Sequence, residues 1–156
     1  AFHLGAHFAR YGGGAGKARQ VTREDRMLEG SCHCGAVRWR FDGVPDFTLA
    51  CSCTVCRRYG TLWAYDFEGE RIHVSGPTHA YLRGERRLGF HFCTECGCIA
   101  YWRGVNPRDD GRRRIAVNLR LAEPDAVAQI PVKHFDGLNW NSDPVMDGRT
   151  VKDMWF

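Results

Sequence analysis

The chain predicts an all-β domain, and three observations carry that expectation. From residue 35 onward apolar side chains recur at every second position, the period of a strand with one face buried. Short Gly- and Pro-containing turns separate these runs. Seven of the eight cysteines fall in C-x-C, C-x-C-x-x-C and C-x-x-C-G sets, too tightly spaced to bridge one another and well placed to converge on metal. A chain of 156 residues fits one domain, and an apolar fraction of 44% is enough for a core.

Residues 1–26 differ from the rest. They hold a Gly-rich patch, scattered charges and no sustained period, and read as a flexible arm or as upstream sequence, with Met27 as the natural start of a 27–156 domain. His3 and His7 lie in this arm and are set aside as ligands. In "AVRWRF", Val37, Trp39 and Phe41 alternate with Arg38 and Arg40. "TLWAYDF" puts Trp63, Tyr65 and Phe67 on one face. "RIHV" offers Ile72 and Val74, "RLGFHF" offers Leu88, Phe90 and Phe92, and "RIAVNLRL" offers Ile115, Val117, Leu119 and Leu121. These stripes are expected to face inward. "DGVPD", "EGE", "SGP", "RGE" and "NPRDDG" punctuate them, and short helices are expected after Cys53 and at "EPDAVAQI". No apolar run is long enough to cross a membrane.

The first cysteine set is Cys32 and Cys34 of "SCHCG". On an extended strand, positions i and i+2 point the same way, so two sulfurs span one edge of a tetrahedron. "FCTECG" gives Cys93 and Cys96, with Gly97 suited to the left-handed backbone of a zinc knuckle. Together the pairs make a structural zinc site. Cys51, Cys53 and Cys56 supply three ligands and leave a fourth position open, the pattern of catalytic zinc. Cys98 could close that site or stay buried and inert, and His33, His73 and His91 are further candidates to cap it. Three thiolates make a poor polariser of carbonyls and a good host for a fourth, exogenous thiolate. Arg57 and Arg58, directly behind the run, either neutralise an anionic thiol such as glutathione or form a solvated surface.

Metal also alters the charge. The formal +4 falls to about +1 once seven ligand thiols ionise and two divalent ions bind. No general affinity for nucleic acid is expected. Cys93-Thr-Glu95 begins like a deaminase zinc motif, but no P-C-x-x-C follows it.

"GSCHCGAVRW", "CSCTVCRR", "FHFCTECGCIAYW" and "FDGLNW" together resemble the glutathione-dependent formaldehyde-activating family, also called the GFA or CENP-V domain family. The resemblance covers roughly residues 28–140. It implies an Mss4-like fold of small antiparallel sheets around zinc, structural zinc on Cys32, Cys34, Cys93 and Cys96, and active-site zinc on Cys51, Cys53 and Cys56. It further implies a carbon–sulfur lyase-class activity that forms S-hydroxymethylglutathione from glutathione and formaldehyde; the metal reading of the cysteines implies a reducing cytoplasm. The competing expectation is a zinc-stabilised binding module without chemistry, for which the tail "DPVMDGRTVKDMWF" offers the best surface.

Overall fold

The computed structural model describes residues 26–140 and 143–155. His3, His7 and nearly all of the expected arm lie outside them. The strands sort into two sheets. The first contains β1 (Met27–Ser31), β2 (Arg38–Asp42) and β5 (Ile72–Ser75), in the order β1-β2-β5. The second is eight-stranded. Its members are β3 (Thr48–Cys51), β4 (Leu62–Phe67), β6 (Thr78–Arg83), β7 (Leu88–Cys93), β8 (Ile99–Gly104), β9 (Arg114–Asn118), β10 (Pro131–Phe135) and β11 (Val145–Thr150). They run in the order β11-β10-β3-β4-β9-β8-β7-β6, antiparallel throughout except for the parallel pair β10–β3. The expected short helices are α1 (Cys56–Tyr59) and α2 (Pro124–Val127). This is the all-β, Mss4-like arrangement, with cysteine clusters at its sheet ends.

The centre of the large sheet is buried on both faces, which explains why its strands read so apolar. Leu62 and Ala64 of β4, with Ile115 and Val117 of β9, join Trp39, Phe41 and Ile72 of the small sheet in one core. Trp63, Ala116, Phe90 and Trp102 face the other way and join Cys53 and Cys56 in a second cluster. So the aromatic stripe of β4 does not enter the main core. Trp63 is buried, Tyr65 is half-buried toward the second cluster, and the Phe67 ring is covered by the Arg112 guanidinium at 3.8 Å.

The tail divides. β11 is exposed along almost its whole length, because it is the last strand of the sheet and only β10 pairs with it. The 3₁₀ turn Val151–Met154 packs back, with Val151 buried in the main core and Met154 and Trp155 against it. A capping box between Thr150 and Asp153 fixes that turn. No helix among the described residues is long and apolar enough to cross a membrane.

Candidate functional site

Two groups of thiols come together among the described residues. In the first, the sulfurs of Cys32, Cys34, Cys93 and Cys96 lie within 4.8 Å of one another. Cys34 Sγ is 3.5 Å from Cys32 Sγ and 3.6 Å from Cys93 Sγ. A ZnS₄ tetrahedron has edges of about 3.8 Å, given Zn–S near 2.3 Å, so the quartet fits a tetrahedral ion.

The C-x-C pair sits on a turn, not on the extended strand that alternation suggested. β1 ends at Ser31, and Cys32–Val37 folds back on itself. Gly35 N–H donates to Cys32 O at 2.9 Å, Cys32 N–H to Val37 O at 2.9 Å, and Val37 N–H to Cys32 Sγ at 3.2 Å. The second pair repeats the design. Gly97 N–H donates to Cys93 O at 3.0 Å, Cys93 N–H to Cys98 O at 2.9 Å, and Glu95 N–H to Cys93 Sγ at 3.4 Å. Gly97 has φ 73°, the left-handed conformation expected of a knuckle. Amides aimed at sulfur favour thiolate. The Cys98 amide, ahead of the other donors, holds the Cys96 thiol down at about 5.

The second group is Cys51, Cys53 and Cys56, again within 4.8 Å of one another. Cys51 closes β3, Cys53 lies in the turn, and Cys56 opens α1. Cys53 N–H donates to Cys51 Sγ and Cys56 N–H to Cys53 Sγ, each at 3.4 Å. The indole Nε1–H of Trp63 donates to Cys56 Sγ at 3.3 Å. A hydrogen bond from the Cys56 thiol brings Cys51 down to about 6, with the Arg83 charge adding to it. The same contact, then burial, pushes Cys56 up. Within this pair the contact favours thiolate on Cys51 and thiol on Cys56. Soft, convergent thiolates with donors on their sulfurs fit a zinc ion.

Cys98 does not join this group among the described residues. Its half-buried thiol packs against the main core, with the His33 amide and Cys96 beside it. Nor does a histidine cap it: His73 Nε2 lies 3.3 Å from Asp42 Oδ2, while His91 is paired with Thr78 Oγ1 at 2.9 Å and stacked on Tyr101. Among the described residues the three thiols stand without a fourth protein ligand.

They stand instead on the wall of a cavity of about 450 Å³. Its apolar lining includes Phe47, Leu49, Trp63, Phe90, Trp102 and Trp140, and its charged lining is Arg83 and Arg114. Arg57 and Arg58 are not on that lining. They are exposed on α1, where Arg58 donates to Thr54 O at 2.7 Å. The cations at the site come from the end of β6 and the start of β9, positions that no local motif marks. Tyr65 is also on the wall, and burial, reinforced by the nearby thiols, pushes its phenol pKa up.

The segment after β10 completes the wall. Asp136 is its hub: Oδ1 accepts from Ser52 Oγ at 3.2 Å and from Leu138 N–H at 3.1 Å, and Oδ2 accepts from Asn139 Nδ2 at 2.6 Å. Ser52 N–H donates to Phe135 O at 3.0 Å. This clasps "FDGLNW" to the Cys51–Cys53 turn and brings Gly137 against it. A Cβ on Gly137 would stand 2.5 Å from Cys51 Sγ and 2.9 Å from Cys53 N.

Fold and site define a class: a β-sheet protein with one closed four-thiol cluster joining its sheets and one open three-thiol cluster facing a cavity. The sequence profile described as "Glutathione-dependent formaldehyde-activating enzyme" matches residues 27–131. The chain belongs to that family. A Halomonas elongata protein that carries the family's name is 34% identical over 91 residues. The match covers 49% of this chain and 55% of the relative, so the chain spans about half the length of the curated protein it matches. The crystal structure of a Rhodobacter sphaeroides protein superposes with a TM-score of 0.51 at 25% identity, covering 67% of this chain and 99% of that one.

Proposed function

We propose that this protein joins glutathione to formaldehyde, or to a related small electrophile, at the Cys51/Cys53/Cys56 cluster with zinc bound. This is a carbon–sulfur lyase reaction run toward synthesis. The observation that carries the reading is three convergent thiols, without a fourth protein ligand among the described residues, on the wall of a cavity of about 450 Å³. The Cys32/Cys34/Cys93/Cys96 quartet would hold a second, structural zinc. Eight free thiols suit a reducing cytoplasm, where we place the reaction.

Cys51, Cys53 and Cys56 would hold the ion, which when bound lowers the pKa of an incoming thiol and fixes its sulfur. The residues around it do the rest. Trp63 Nε1–H and the backbone amides orient the three sulfurs. Arg83 and Arg114 face the cavity and attract the two carboxylates of glutathione. The glutathione sulfur gives an electron pair to the carbonyl carbon and the C–S bond forms. The C=O π pair moves to oxygen, which takes up the proton that the thiol released. Tyr65, held protonated by burial, is the hydroxyl on the wall that can donate to that oxygen.

Metal analysis with glutathione titration tests the reading. Two zincs per chain are expected. After exchange to Co²⁺, millimolar glutathione should change the visible spectrum of one site and leave the other unchanged. A single metal per chain, or no spectral response, would sink it. Tyr65→Phe should keep both metals and slow the exchange between free glutathione and its hydroxymethyl adduct, followed by NMR, roughly 10²-fold. An unchanged rate would remove Tyr65 from the chemistry. A second reading, a non-catalytic binding module, is favoured by the exposed Leu138, Trp140, Val145 and Met146. It expects metal without any response to glutathione.

A further inference from the structure

We propose that the electrophile selected at this site is an aldehyde bearing an aromatic or comparably bulky apolar group, so that formaldehyde is its smallest substrate and not its preferred one. This rests on the thiol-addition reading above and names the substrate class of that site.

The walls carry the inference. Trp63 and Phe90 meet with ring centroids 6.2 Å apart, Tyr65 and Trp102 edge to face at 5.6 Å, and Phe135 and Trp140 edge to face at 5.7 Å. These pairs surround a space of about 450 Å³, the size that encloses a drug-sized ligand. Formaldehyde has two heavy atoms and touches little of that surface, so most of the apolar wall would stay against water. Glutathione does not suit those walls either. Its peptide groups and charges would lose hydration against Trp and Phe without gaining partners. Its place is at the charged positions, where Arg83 lies over Trp140 at 5.9 Å and Arg114 over Trp102 at 5.8 Å. What the rest of the lining rewards is an apolar body.

Trp140 adds a second observation. It is 65% exposed and has φ 57°, a backbone conformation that costs a bulky residue energy. Its amide donates to Asp136 O at 3.1 Å, so the same clasp that anchors the loop to the thiol cluster holds this indole at the cavity. The chemistry leaves the substituent untouched: the C–S bond forms at the carbonyl carbon, the C=O π pair goes to oxygen, and the thiol proton follows it. Selection therefore acts through binding of the substituent alone.

Two measurements test this. Phenylacetaldehyde and formaldehyde are compared by NMR exchange with glutathione on the zinc-loaded protein, and kcat/KM for phenylacetaldehyde should be at least tenfold higher. Trp140→Ala, at an exposed position, should lower the ratio of the two constants about tenfold. In parallel, 2-naphthalenemethanol, an apolar body without a carbonyl, should saturably quench tryptophan fluorescence and bind at least fivefold more weakly to Trp140→Ala. No preference for phenylacetaldehyde, a ratio that Trp140→Ala does not move, or no binding of 2-naphthalenemethanol overturns the proposal. The two readings fail separately. A Co²⁺ site that ignores glutathione defeats thiol addition, whereas a glutathione response without aldehyde preference defeats only the apolar selection.

Discussion

Cys93→Ser is expected to leave the domain unfolded or aggregated at room temperature, while Cys56→Ser keeps wild-type far-UV circular dichroism and melts cooperatively. Both remove one thiol from a cluster, and both thiols are buried, so the difference must come from what each cluster joins. The first bridges turns 59 residues apart in sequence, one following β1 of the small sheet and one between β7 and β8 of the large sheet. Closing so long a loop and registering two sheets are costs that the folded chain must offset. A structural zinc contributes about 10–16 kcal/mol in small zinc domains, as much as the whole net stability of a typical domain, about 5–15 kcal/mol. The second cluster spans only residues 51–56, a turn between β3 and α1 that the β3–β4 and β3–β10 ladders already hold. Loss of its metal should cost catalysis and thiol binding and leave the sheets in place. Equal melting behaviour in the two variants would show that the clusters are not divided into a structural and a reactive one.

The difference between the two clusters also explains what could be read in the sequence. Cys93, Cys96 and Gly97 were legible because a knuckle is local: three residue types at fixed spacing define its backbone. The thiols of Cys32 and Cys34 lie with theirs, but on a turn, because the glycine that follows outweighs the alternation that suggests a strand. "HCG" ends in the same Cys-Gly pair as "ECG", and Gly35 at φ 77° mirrors Gly97 at φ 73°. That repeated dipeptide was the available signal. Arg83 and Arg114 carried no such signal. They reach the cavity through strand register, and the nearer arginines at 57 and 58 were the only cations that proximity in sequence could suggest. β11 has no apolar alternation to mark it, for a different reason: an exposed strand need not alternate. The apolar runs of β4, β7 and β9 are legible as strands, but which of their faces meets the core and which meets the cavity depends on the second layer, and nothing local reports it.

Gly137→Ala is expected to strip the reactive cluster and spare the fold. Gly137 is not among the residues with positive φ, so alanine is permitted by the backbone and any effect is steric. The new Cβ would meet Cys51 Sγ at 2.5 Å, Cys53 Cβ at 2.7 Å and Cys53 N at 2.9 Å. Two of these atoms belong to the rigid part of the turn and cannot swing aside as a side-chain end could. The loop cannot easily retreat either, because Asp136 ties it to Ser52, Leu138 and Asn139. The remaining relief is rotation of Cys51 Sγ out of the trio, or peeling of the loop away from it. Either outcome breaks the three-thiol geometry. Overpacking of this kind costs about 1–3 kcal/mol, small enough for the sheets to survive while the first cluster stays loaded. After dialysis the variant should hold one metal per chain where the parent holds two, and glutathione should no longer perturb a Co²⁺ spectrum. Retention of two metals with a normal glutathione response would mean that the loop moves freely, and that the close fit of "FDGLNW" against Cys51 and Cys53 has no part in building the site.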